Sequence, residues 1–135
     1  MQGYTEALAA AGVRYDDLWV REGDFSRESG YAAMESLLGI EERPSAVFVG
    51  SDALAIGALA AVRDAGLRVP EEMAVVGFDD VPLAADAAPP LTTVHLPAQR
   101  LGESTAQILV QLMAGEQVSR RAILLETHLV IRRSA

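Results

Sequence analysis

Two short apolar runs flank a helical stretch, and that arrangement restricts this chain more than any other feature. Ala46-Val47-Phe48-Val49 carries β-branched and aromatic residues without interruption and reads as a buried parallel strand. Met73-Ala74-Val75-Val76-Gly77-Phe78 is a second such run. Between them Leu54, Ala58, Leu59 and Val62 recur at helical spacing, Ser51 or Asp52 can cap the first turn, and Gly66 stops the helix after Ala65. Strand, helix and strand joined by connections this short build a layered fold around a mainly parallel sheet.

The rest of the chain fits that scheme. Tyr4 to Ala11 reads as a helix closed by Gly12, and Ser26 to Leu38 as a second, with Tyr31, Met34, Leu37 and Leu38 on one face. Leu18-Trp19-Val20 reads as a short strand, and the proline- and alanine-rich stretch 81–90 as a loop or broken helix. Thr92 to Leu96 is extended. Leu101, Thr105, Ile108 and Leu112 mark an amphipathic helix ending at Gly115, and Ile123-Leu124-Leu125 and Leu129-Val130-Ile131 read as closing strands paired through a bend. The expected fold class is therefore α/β, a layered parallel sheet flanked by helices.

Composition removes several function classes. Half of the residues are apolar and 22% are charged, which suits a folded chain. The net charge of −8 argues against direct nucleic-acid binding, because phosphate neutralisation needs a basic stripe. The arginines are scattered, and the two adjacent pairs, Arg120-Arg121 and Arg132-Arg133, lack aromatic neighbours on a readable helix. No cysteine is present, so disulfides, thiolate zinc sites and thiol catalysis are excluded. No window holds ~18 consecutive apolar residues. The opening residues have neither a basic nor an apolar secretory region, which points to the cytoplasm.

In an open parallel sheet, ligands bind where loops and helix amino-termini meet at the strands' carboxyl ends. Two strands end there in polar residues, one in Gly50-Ser51-Asp52 and one in Asp79-Asp80. Carboxylates suit neutral polyols, since each oxygen accepts from a hydroxyl. Asp52 is read either as a ligand contact or as a helix cap, and Asp79-Asp80 either as ligand contacts or as a turn. Phe25, Trp19 and Phe78 could stack on a sugar face or pack in the core. His95 and His128 read as isolated surface or edge residues. There is no Gly-x-Ser-x-Gly elbow, no phosphate-cradling glycine loop and no calcium-loop spacing, so neither catalytic residues, nor metal ligands, nor a cofactor are expected.

Several fragments in order carry a family resemblance: Gly3-Tyr4-x-x-Ala7-Leu8, Arg43-Pro44-Ser45-Ala46-Val47-Phe48 and Ser51-Asp52-x-x-Ala55-x-Gly57. They continue with Gly66-Leu67-Arg68-Val69-Pro70, Val75-Val76-Gly77-Phe78-Asp79-Asp80, Pro90-Leu91-Thr92-Thr93-Val94, Leu101-Gly102 and Leu129 to Ser134. Together they resemble the carboxy-terminal part of the effector-binding domain of LacI/GalR transcriptional regulators. The resemblance implies a type I periplasmic-binding-protein-like fold, incomplete in this chain. Residues 1–96 would form the distal subdomain, and 97–135 a segment of the proximal subdomain with its crossover return. It also implies a DNA-binding headpiece outside this chain, operator DNA bound only through that headpiece, and a carbohydrate-like effector. A homodimer is implied as well, pairing around Ser51 to Val62 and Ala84 to Ala88. By position Asp79 matches the carboxylate that contacts effector hydroxyls, Ser51 stands where asparagine is common, and Phe25 matches an aromatic that lies against the ligand in some members. The alternative is a secreted sugar-binding protein of the same superfamily. The helix bearing Leu101, Ile108 and Leu112 would have no sheet of its own to cover, so it should fold back on the distal subdomain, swap into a partner chain or stay mobile.

Overall fold

The computed structural model describes residues 1–116 and 122–135. Helix α1 (Gln2–Ala10) is followed by a 3₁₀ turn (Asp17–Trp19), α2 (Arg27–Leu38), β1 (Ala46–Phe48), α3 (Asp52–Asp64) and β2 (Ala74–Asp79). Then come α4 (Pro82–Asp86), β3 (Thr92–His95), α5 (Ala98–Met113) and β4 (His128–Val130). The sheet has the order β1-β2-β3-β4. The first three strands are parallel and β4 is antiparallel to β3, with His95 opposite His128. Arg120 and Arg121 lie outside the described residues.

The helix starts follow local chemistry. Ser26 caps α2 by accepting from Ser29 N at 3.1 Å, and Ser51 caps α3 by accepting from Leu54 N. Helices α2 and α3 then approach closely because each is a glycine at the contact. A Cβ on Gly57 would lie 2.8 Å from Tyr31 N, and one on Gly30 would lie 2.7 Å from Leu54 Cα. The core that results joins Met34 and Leu37 of α2, Ala55, Leu59 and Val62 of α3, and Met73, Val75 and Leu91 from the sheet side. Each fully buried Met, Leu or Val side chain among them contributes ~1.5–3 kcal/mol.

Three expectations need correction. Residues 18–20 are not a strand: the Asp16 carboxylate accepts from Leu18 N at 2.9 Å and winds the chain into the 3₁₀ turn. Strand β1 is parallel but not buried, because it is the sheet's edge, and Phe48 is 56% exposed. Residues 123–125 form no strand, and β4 pairs with β3 instead. Within the expected pairing region, α3 is buried from Gly57 to Val62 against α2 and the sheet. Ala84 is buried as well. Of the three outcomes expected for α5, the structure does not show folding back on the rest of the chain. It has no buried residue, and Leu101, Leu109, Val110, Leu112 and Met113 are exposed.

Candidate ligand-binding site

Three chain segments meet at the carboxyl edge of the parallel strands. The first is the amino-terminus of α3, delivered by β1. The second is the turn after β2. The third is the loop 23–26, which packs on the first turn of α3: a Cβ on Gly23 would lie 2.9 Å from Leu54 Cδ2. That convergence positions Ser51, Asp52, Asp79, Asp80 and Phe25 around one edge, and the differences among their surroundings assign them different tasks.

Asp52 is 0% exposed, and both of its oxygens are engaged within the chain. Thr93 Oγ1 donates to Oδ1 at 2.6 Å, and Val81 N donates to Oδ2 at 2.9 Å. The carboxylate thereby ties the start of α3 to β3 and to the turn after β2. Room for it exists because position 77 is glycine; a Cβ there would run into Asp52 Oδ1 and lie 2.9 Å from Leu91 Cδ2. Ser51 is also buried, and its hydroxyl serves as the α3 cap.

Asp79 and Asp80 both have left-handed backbones, with φ of 117° and 60°. Two such non-glycine residues in succession are costly, of order 1–3 kcal/mol each, and persist only where neighbours over-determine them. Asp80 is held on both oxygens. Arg132 Nη2 donates to Oδ1 at 2.7 Å, and His95 Nδ1 lies 3.0 Å from Oδ2. Burial pushes the Asp80 carboxyl up, but the bonds from Arg132 and His95 together outweigh it and hold the group below its ordinary value. The His95 ring in turn lies 4.9 Å from that of His128 across the β3–β4 pair. Arg132 also donates through Nη1 to Leu91 O at 2.8 Å.

Asp79 is different. No side chain of the described residues bonds its carboxylate. Burial raises its pKa, the nearby charge of Asp52 raises it further, and only the Asp52 backbone N–H opposes them. It is a part-buried carboxyl with hydrogen-bonding capacity left over. Phe25, 69% exposed with φ of 65°, stands beside Asp24, whose carboxyl is lowered to about 2 by bonds from Ser26 and Ser29. The two serines fix the loop that carries the aromatic ring outward.

The structure therefore brings Ser51, Asp52 and Asp79 to one edge with Phe25 on an adjoining loop. It also adds His95, Thr93 and Arg132, which sequence reading missed. Thr93, in a strand that reads Thr-Thr-Val-His, left no signal that set it apart, and Arg132, 52 positions from Asp80, left none. A shallow groove along α5, lined by Ala106, Gln107, Val110 and Gln111, involves no charged side chain and no second element. Among the described residues no group of three or more His, Cys, Asp or Glu side chains could hold a metal ion. No helix of the described residues is long and apolar enough to cross a membrane.

Comparison with known proteins decides what this edge belongs to. Residues 1–135 match the family described as periplasmic binding protein-like domain. The chain belongs to that family. Its relatives are LacI/GalR-type regulators. The HTH-type transcriptional regulator CelR of Thermobifida fusca is 46% identical over 134 residues, covering 99% of this chain and 39% of the regulator. The HTH-type transcriptional repressor PurR of Mannheimia succiniciproducens is 41% identical over 133 residues, covering 98% of this chain and 40% of the repressor. In structure, this periplasmic binding protein-like domain superposes on a CelR–cellobiose complex with a TM-score of 0.93 at 46% identity, over 99% of this chain and 41% of that one. The transcription regulator CcpA of Lactococcus lactis gives 0.90 at 35% identity, over 98% of this chain and 48% of that one. The domain thus spans less than half the length of the curated relatives it matches. All four matches are transcriptional regulators, which favours the LacI/GalR reading over a secreted sugar-binding protein.

Proposed function

We propose that this chain is the effector-sensing part of a LacI-type transcriptional repressor, cytoplasmic and homodimeric, with a sugar as effector. Residues 1–96 are the distal subdomain and 97–135 belong to the proximal subdomain and its return strand. Operator binding is the task of a headpiece outside these residues, because a net charge of −8 gives DNA no electrostatic reason to approach this part. The protein performs no catalysis and requires neither cofactor nor metal.

One observation carries the reading. Of three carboxylates at the sheet edge, Asp52 and Asp80 are engaged by the chain's own donors, and among the described residues no side chain takes up the acceptor capacity of Asp79. A sugar hydroxyl supplies the missing donor, and the CelR relative was solved with cellobiose, a neutral disaccharide. Ser51 and the exposed Phe25 ring flank the effector, with Phe25 covering an apolar sugar face. Asp52 belongs to the same site from beneath, holding the turn that carries Asp79. The test is calorimetry on the full-length protein with cellobiose and a panel of neutral sugars. Asp79→Ala should weaken binding by roughly 1–3 kcal/mol, the cost of an unpaired buried partner. Unchanged affinity of the Ala variant would show that Asp79 is only a turn residue.

A further inference from the structure

We infer that Asp80 is a positioning residue for Asp79, clamped by Arg132 and His95 so that the left-handed turn cannot relax and turn the Asp79 carboxylate away. The inference rests on the reading of Asp79 as the ligand contact, but its central claim concerns the turn and is testable without a ligand.

Two strained residues in succession need restraints on both sides of them. Before the turn, β2 is paired with β3 through Asp79 and His95. After it, Val81 N is bonded to the buried Asp52 carboxylate. At its middle the Asp79 carbonyl accepts from Leu96 N at 3.3 Å, and among the described residues the Asp80 side chain is the one side chain that holds the turn there, reached from two separate elements. His95 is the last residue of β3, while Arg132 comes from the segment after β4. Arg132 is itself fixed, through its second nitrogen to Leu91 O and through its backbone N–H to Thr92 Oγ1 at 2.9 Å. The segment is anchored two residues further on by Ser134, fully buried, whose Oγ accepts from Thr92 N at 2.8 Å. The clamp therefore stands on the rigid sheet and not on a loose tail. Charge-assisted bonds of this kind are about twice as strong as neutral ones, which suits them to holding strained backbone. A residue built this way governs ligand affinity without touching the ligand.

The experiment is hydrogen exchange by mass spectrometry on the full-length protein, reading peptides across 77–83 and across α3, with melting temperature and cellobiose affinity measured on the same samples. Asp80→Asn keeps the volume and removes the charge. It should speed exchange across 79–81 by roughly tenfold or more while α3 exchange is unchanged. His95→Gln, which leaves the Arg132 bond in place, should give the same local change at smaller amplitude, and it serves if Asp80→Asn fails to fold. A residue that only stabilised the fold would lower the melting temperature and raise exchange throughout the sheet and α3, and that pattern overturns the proposal. So does unchanged exchange at 79–81 in both variants. Asp79→Asn separates the two claims: it should leave exchange at the turn near native. If it also leaves cellobiose affinity intact, the ligand reading fails while the exchange result still decides the role of Asp80.

Discussion

The buried carboxylate of Asp52 makes a sharp test of the local argument. It accepts from Thr93 Oγ1 at 2.6 Å and from Val81 N at 2.9 Å while wholly removed from solvent. Hydrogen bonds to a charged group contribute about 1.5–3 kcal/mol each. Asp52→Ala loses both, together with the favourable charge at the first turn of α3, about 0.3–1 kcal/mol. Against that loss stands the desolvation of the carboxylate, which the alanine variant no longer bears. The net expectation is a destabilisation of about 2–4 kcal/mol. Asp52→Asn should cost much less, near ~1 kcal/mol, by the same bond-by-bond reasoning. Its carbonyl can keep the Val81 N–H, and its amide can donate to Thr93 Oγ1, a hydroxyl able to reverse and accept. Thr93→Val removes the other partner, and in a double-mutant cycle it should couple with Asp52→Ala, since one bond is deleted in both. Calorimetric melting of the full-length protein and its variants gives the ranking. The reasoning is refuted if Asp52→Ala melts within ~1 kcal/mol of native, inside the spread of ordinary surface changes, or if Asn is as damaging as Ala.

Three further outcomes follow from the same geometry. Gly57→Ala should destabilise by about 1–3 kcal/mol, because the new methyl meets α2 backbone that cannot yield, whereas Gly102→Ala, in open space on α5, should be neutral or stabilising; the two melting temperatures check this. Ser134→Ala should cost about 1–3 kcal/mol in the same assay, since it strands the Thr92 N–H and the Val75 carbonyl between two strands. The raised pKa of Asp79 means that its folded form resists ionisation, so it favours the fold below the ordinary carboxylate range and loses that advantage as pH rises through the raised value. Asp79→Asn should therefore melt higher than native at neutral pH, with the gap closing as pH falls below ~4, and a gap independent of pH would contradict the assignment.

The sequence was most readable where structure depends on neighbours along the chain. Helices α2 and α3 show their caps at Ser26 and Ser51 and their apolar stripes at 3.6 spacing, and β2 shows its apolar run. Legibility ended where a choice depended on distant partners. Leu18-Trp19-Val20 has strand composition, and one carboxylate at Asp16 turns it into a helical turn. Ala46 to Val49 reads as a buried strand because apolarity reports that a strand exists, not where in the sheet it lies. Among the described strands β1 lies at the edge with one neighbour, and Phe48 stays in the open.

The candidate site shows the same division at higher resolution. Asp79 and Asp80 are adjacent identical letters, and no local rule separates them. Their roles diverge because alternation along β2 puts position 79 on the side of Val75 and Gly77, next to the buried charge of Asp52, while position 80 falls beyond the last strand pair and reaches Arg132 and His95. A carboxylate beside a second buried negative charge and without a cation is disfavoured in the free protein, and a ligand hydroxyl bonded to it relieves part of that cost. A carboxylate between an arginine and a histidine is already satisfied and gains little from a ligand. The asymmetry between Asp79 and Asp80 is thus created in part by Arg132, which lies 52 positions further along the chain than Asp80, the group it neutralises. That neutralisation requires the return strand β4, which pairs antiparallel with β3 and leads into Arg132.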